Sequence, residues 1–189
     1  MRARLRARGV NANVLAGGNH GWRDAQLPRV PAVNIPGPLW VTRHRPKIDR
    51  IACPWLIRRF VDPKAEFMFV PPTEVAAVAD KFGAIPFDIG DTHWTHHGDA
   101  CTFDMMVAEF GLRHSALDTM ATIIRAADTD RHDLAPQAAG LLALSIGLSR
   151  MYKDDTAQLE AGIGLYDALY RWARDGQDEG HGWSAGQAS

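Results

Sequence analysis

From residue 103 to residue 173 the apolar residues recur with the 3.6-residue period of a helix, and this constrains the fold more than any other feature of the sequence. The period predicts helices over 103–110, 115–127, 136–147 and 156–173, the last with Leu159, Ile163, Tyr166 and Tyr170 on one stripe. Upstream, three short apolar runs have the length and bounding turn residues of strands: LWVTR (39–43), EFMFV (66–70) and IPFDI (85–89). Between them, Ile51, Trp55, Leu56 and Phe60 predict a helix over 48–61, with Pro54 in its first turn or at a kink. A further helix is expected over 73–82, with Thr73 as its N-cap. The fold class is therefore α+β, mainly helical, with two or three short strands.

The first thirty residues have a different organisation. They read as an arginine-rich helix, a short strand around residues 12–15, the pair Gly17-Gly18 and a second helical turn ending near residues 27–28. That is part of an α/β unit, and such a strand needs a partner to pair with. Residues 31–38, with three prolines and a glycine, read as a linker. The main domain is expected over 39–174. The Gly, Gln, Ser and charged residues of 175–189 read as a disordered tail.

A formal net charge of -1 gives the chain no global field to attract phosphates, so nucleic acid is not an expected partner. The apolar runs are broken by charge well short of a membrane span, and the arginine-rich start lacks the apolar core of a signal peptide. A cytoplasmic location is expected, with the two cysteines too few for a disulfide framework.

Three groups of residues have the composition of a chemical site. In THWTHHGDACTFD (92–104), preceded by Asp91, three histidines, a cysteine and three acids are crowded into a loop that enters a helix. His97, Cys101 and Asp104 are candidate metal ligands here. Imidazole, thiolate and carboxylate together suit zinc or iron. The competing reading is a polar loop in which Cys101 is buried and Asp104 caps the helix. In IDRIACPWLIRRF, Cys53 and Arg59 have the spacing of an oxyanion loop, although Trp55, Leu56 and Ile57 are bulky for one. Arg50, Arg58 and Arg59 form a candidate oxyanion-binding cluster there, unless the segment is simply an amphipathic helix. In IIRAADTD, Asp128 ends a helix where the macrodipole favours cations, so Arg125, Arg131 or a bound cation is expected to offset it. Asp128 is thus a fourth candidate metal ligand.

Two family resemblances follow from these motifs. LRARGVNANVLAGGNHGWRDAQLPRV resembles the end of a rhodanese domain. The family's cysteine loop precedes this stretch, so residues 1–30 are expected to be a truncated, non-catalytic rhodanese-like remnant. The ordered set WVTRHRPKIDRIACPWLIRRFVDPKAEFMFVPP, PFDIG, HHGDACTFD, IIRAADTD and YDALYRW resembles the carboxy-terminal domain of the ChrB family over roughly residues 39–172. That resemblance implies a role in chromate resistance, with chromate or another oxyanion as partner. The family's DNA-binding segment precedes this domain, and nucleic-acid binding is not carried over. A metal- or oxyanion-binding sensor or detoxification domain is the leading expectation. The alternatives are a redox enzyme using a metal or the Cys53 or Cys101 thiolate, and a non-catalytic interaction module that forms a homo-oligomer.

Overall fold

The computed structural model describes residues 6–9, 13–27, 29–30, 36–180 and 182. Its sheet has three parallel strands, β1 (Leu39–Arg43), β2 (Glu66–Val70) and β3 (Ile85–Pro86), in the order β2-β1-β3. Parallel strands need crossovers, and helices supply them. An N-terminal helix α1 (Gly18–Asp24) precedes the sheet. Helix α2 (Asp49–Leu56) then links β1 to β2, and α3 (Val75–Phe82) links β2 to β3. Four more helices follow: α4 (Thr102–Glu109), α5 (Ser115–Asp128), α6 (Ala138–Met151) and α7 (Asp155–Asp175). The fold is α+β and mainly helical, as the periodicity predicts.

Alternation along β1 separates two cores. Trp40 joins the large cluster formed with α2 and α4–α7, while Val41 joins Val75 and Ala84 in a small cluster beneath α3. Trp55 lies at the centre of the large core, against Phe60, Phe103, Tyr166 and Tyr170. The stripe on α7 is buried as expected, with Leu159, Ile163 and Tyr166 in the core and Tyr170 packed against it.

Local structure departs from expectation in four places. Pro54 sits inside α2, past the first turn, and the helix continues as a π-turn over Ile57–Val61. Thr73 caps nothing: Pro72–Glu74 is a 3-10 turn in which no side chain bonds the backbone. The strand expected over 85–89 ends at Pro86, after which Phe87 bridges to Trp94. Residues 13–15 form no strand, and Val14 and Leu15 are exposed; among the described residues no strand pairs with them. Most of the arginine-rich segment expected as a helix, most of the proline linker and most of the C-terminal tail lie outside the described residues; residues 7–9 form a turn. Among the described residues, no helix is long and apolar enough to cross a membrane.

Candidate metal centre

Two helix N-termini and one helix C-terminus meet behind the C-terminal end of the sheet strands, and four side chains converge there. Asp49 is the first residue of α2 and is fully buried. Its Oδ2 accepts hydrogen bonds from the backbone N–H groups of Thr102 (2.6 Å) and Phe103 (3.4 Å), which open α4. A carboxylate is favourable at such an end, where amides lack intrahelical partners. Its Oδ1 is buried with no hydrogen-bond partner. Asp128, the last residue of α5, accepts from the Asp49 backbone N–H at 3.5 Å. Asp88 lies just after β3 at a positive φ of 51°, a conformation that aspartate tolerates better than most residues.

His96 closes the group. The backbone bond from Asp88 N to Trp94 O (2.8 Å) pins the loop two residues upstream. His96 Nε2 then lies 3.1 Å from Asp128 Oδ2 and 3.4 Å from both Asp49 Oδ2 and Asp88 Oδ1. Asp49, His96 and Asp128 each present one ligand atom, all within 4.8 Å of one another. Among the described residues, this is the group of His, Cys, Asp and Glu side chains with the spacing of a metal site.

The charges of the cluster are strongly coupled. Hydrogen bonding to Asp128, and then to Asp49 and Asp88, pushes the His96 imidazolium up to about 12. Burial raises the Asp49 carboxyl to about 7, opposed by His96 and reinforced by Asp128 and Asp88. Burial also acts to raise Asp88, but His96, Arg50, Arg43 and Thr102 together bring it below its ordinary value. Thr102 Oγ1 donates to Asp88 Oδ1 at 3.0 Å, while Arg43 and Arg50 lie 3.1 and 3.2 Å from its Oδ2. Asp88 is thereby saturated. Asp49 is not: its Oδ2 faces His96, and its Oδ1 has no hydrogen-bond partner.

The four metal ligands expected from the sequence do not converge as a set; only Asp128 enters the cluster. Its neighbour His96, not His97, faces the acids, whereas His97 is exposed and its backbone pairs with Ala100. Asp104 is occupied elsewhere: Oδ2 accepts from Cys101 N (3.0 Å) and Oδ1 pairs with Arg125 (2.7 Å). That is the helix-capping role weighed as the competing reading. Cys101 and Cys53 are both fully buried, and burial, with the nearby Asp49 charge, raises both thiols. A thiol in that setting stays protonated and is a poor nucleophile or ligand. The offset expected at Asp128 comes from His96, since Arg125 pairs with Asp104 and Arg131 with Asp133.

The arginine trio is also dispersed. Arg58 pairs with Glu160 (2.6 Å) and lies over the Phe67 ring. Arg59 makes a two-pronged pair with Asp167. Both carboxylates belong to α7, so packing of the final helix neutralises these arginines. Only Arg50 approaches the cluster. Sequence reasoning missed Asp49, Asp88 and His96. Asp49 and His96 did stand inside the motifs IDRIAC and THH, and Asp88 in PFDIG, but no spacing rule joins segments forty residues apart.

Fold and cluster together define a helix-dominated α+β domain with a carboxylate–imidazole centre built on helix ends. Residues 40–173 match the family described as ChrB, C-terminal domain, and the chain belongs to that family. It is 32% identical over 173 residues to Protein ChrB of Cupriavidus metallidurans, a match covering 89% of this chain and 52% of that protein. The chain thus spans about half the length of the curated relative it matches. No solved structure matches it.

Proposed function

We propose that this chain serves chromate resistance as a metal-binding domain, with Asp49, His96 and Asp128 as the ligands. The observation that carries this reading is that Asp49, His96 and Asp128, from α2, the 87–101 loop and α5, each bring one ligand atom within 4.8 Å of the others, while the second oxygen of the buried Asp49 carboxylate, Oδ1, has no hydrogen-bond partner. Burying a carboxylate oxygen without a partner is costly, and a cation supplies the missing interaction. Two carboxylates and one imidazole, without thiolate, suit a first-row divalent ion such as iron, manganese or zinc. Ion entry must displace the proton that His96 holds. Asp88, fixed by Thr102 and two arginines, lies 3.4 Å from the same His96 Nε2 and so stands beside the ligand set with its own oxygens already engaged.

Elemental analysis of protein purified without an affinity tag tests this directly. Near-stoichiometric metal is expected in the wild type and in the His97→Ala and Cys101→Ser variants. It is expected to be lost in His96→Ala and Asp128→Asn. Metal-free wild-type protein that gains no thermal stability from iron, manganese or zinc would overturn the proposal.

A second reading, an oxyanion held beside the centre, is favoured by one observation. Arg43 and Arg50 meet at Asp88; the buried Arg43 Nε has no hydrogen-bond partner, and the Arg50 Nε faces Asp88 Oδ2 at 3.2 Å without hydrogen-bond geometry. On this reading, chromate protection against thermal unfolding disappears in Arg50→Ala while metal content is retained.

A further inference from the structure

Most described arginines of the domain are engaged. Arg43, Arg50, Arg58, Arg59 and Arg125 pair with acids, and Arg45 donates to the carbonyls of Tyr152 and Ser149. Arg29 and Arg113 differ. Among the described residues neither has a carboxylate or carbonyl partner, and both line one open cleft of about 750 Å3. A third guanidinium, Arg23, lines the same cleft, and its own counter-ion is the exposed neighbour Asp24 at 2.8 Å. Among the described residues, no acidic side chain lines the cleft.

The cleft lies between the segment after α1 and the turn joining α4 to α5. Val30 packs against the main core, and its neighbour Arg29 lines the cleft together with Arg113. Gln26 adds a side-chain amide to the lining, while Leu27 and Val30 supply an apolar wall. Like charges held together without counter-ions repel, and an anion relieves that repulsion. Guanidinium groups match the oxygens of tetrahedral anions through paired, charge-assisted hydrogen bonds. The volume lies within the range of small-molecule sites and exceeds what one such anion fills.

We propose that this cleft binds a tetrahedral dianionic group, either free, as in phosphate, sulfate or chromate, or carried as a phosphate ester on a small organic body. Arg29 and Arg113 are the principal contacts, with Arg23 assisting. The site is separate from the metal centre and does not depend on it.

The test is calorimetric and thermal-shift titration of the full chain, in the presence of a chelator and at constant ionic strength. The probes are inorganic phosphate, sulfate, chromate and ATP, with chloride as the reference. At least one dianion or ATP is expected to raise the unfolding temperature where chloride does not. Tighter binding of ATP than of phosphate assigns the apolar wall to an organic body, and the reverse assigns the cleft to the free anion. Arg29→Ala and Arg113→Ala each remove an exposed guanidinium and are expected to weaken binding by roughly tenfold or more. Arg150→Ala, which removes an unpaired arginine away from the cleft, is expected to leave it unchanged. No response beyond chloride, or a response unaltered in both cleft variants, would overturn the proposal. Because the chelator removes metal, either result is independent of the metal reading.

Discussion

Ile48 has a backbone that a β-branched residue rarely adopts, φ 40° and ψ -102°, immediately before the buried Asp49. It is held from two sides: its N–H donates to Ser145 Oγ (3.2 Å), and its carbonyl accepts from Tyr166 Oη (3.1 Å). Strain of this kind persists where surrounding contacts over-determine it, and here they aim Asp49 at the cluster. Tyr166→Phe removes the side-chain bond to this carbonyl, which still accepts from the Ile51 and Ala52 N–H groups, and is expected to cost about 1 kcal/mol in chemical denaturation. Asp167 carries a separate, pH-dependent contribution. The hydrogen bond from Arg59, opposed by slight burial and aided by Trp55, lowers its pKa. A lowered carboxyl stabilises the fold above its unfolded value of about 3.9, and the gain is lost as pH falls through the lower folded value. The stability difference between wild type and Asp167→Asn is therefore expected to shrink between pH 5 and pH 2. Surface exposure keeps the difference small throughout.

At the scale of elements, the contact between α2 and α7 sets where Asp49 stands. Gly162 of α7 lies against Ile51: a Cβ there would come within 2.7 Å of Ile51 Cγ2 and 3.3 Å of its Cδ1. Glycine costs a helix about 1 kcal/mol relative to alanine, so the close approach of the two helices outweighs that penalty. Gly162→Ala is expected to destabilise by about 1–3 kcal/mol through overpacking, despite its better propensity. Ile51→Ala alone opens a cavity. The double variant is expected to lose less than the two single losses combined, which a double-mutant cycle in urea measures.

For the whole molecule, the family match begins at residue 40, where β1 supplies the central strand. Of the described residues before it, Val30 is the one packed on the main core. Deleting residues 1–30 is expected to shift the melting temperature by only a few degrees, in line with about 1–2 kcal/mol for one apolar contact, and to leave metal content unchanged. The same truncation removes Arg23 and Arg29, so any protection by dianions is expected to vanish. A large loss of stability or of metal would show that the N-terminal segment is integral to the domain.

The sequence by itself determined the helical half, the short strands and the buried stripe of α7, because amphipathic period is a local property that burial enforces. It also marked Asp128 as a carboxylate in need of a cation. The partners were decided only by tertiary structure. Cys101 and Asp104 are one helical turn apart and look like co-ligands, yet Asp104 is committed to the cap and to Arg125. Arg58 and Arg59 look like an anion clamp until α7 brings Glu160 and Asp167 to them across a hundred residues of chain. His96 and His97 are neighbours of the same chemistry, and His96 is the one that faces the acids, in a loop held by the Phe87–Trp94 and His97–Ala100 bridges. Local pattern records which residues are buried; which charges meet depends on helix ends that packing brings together.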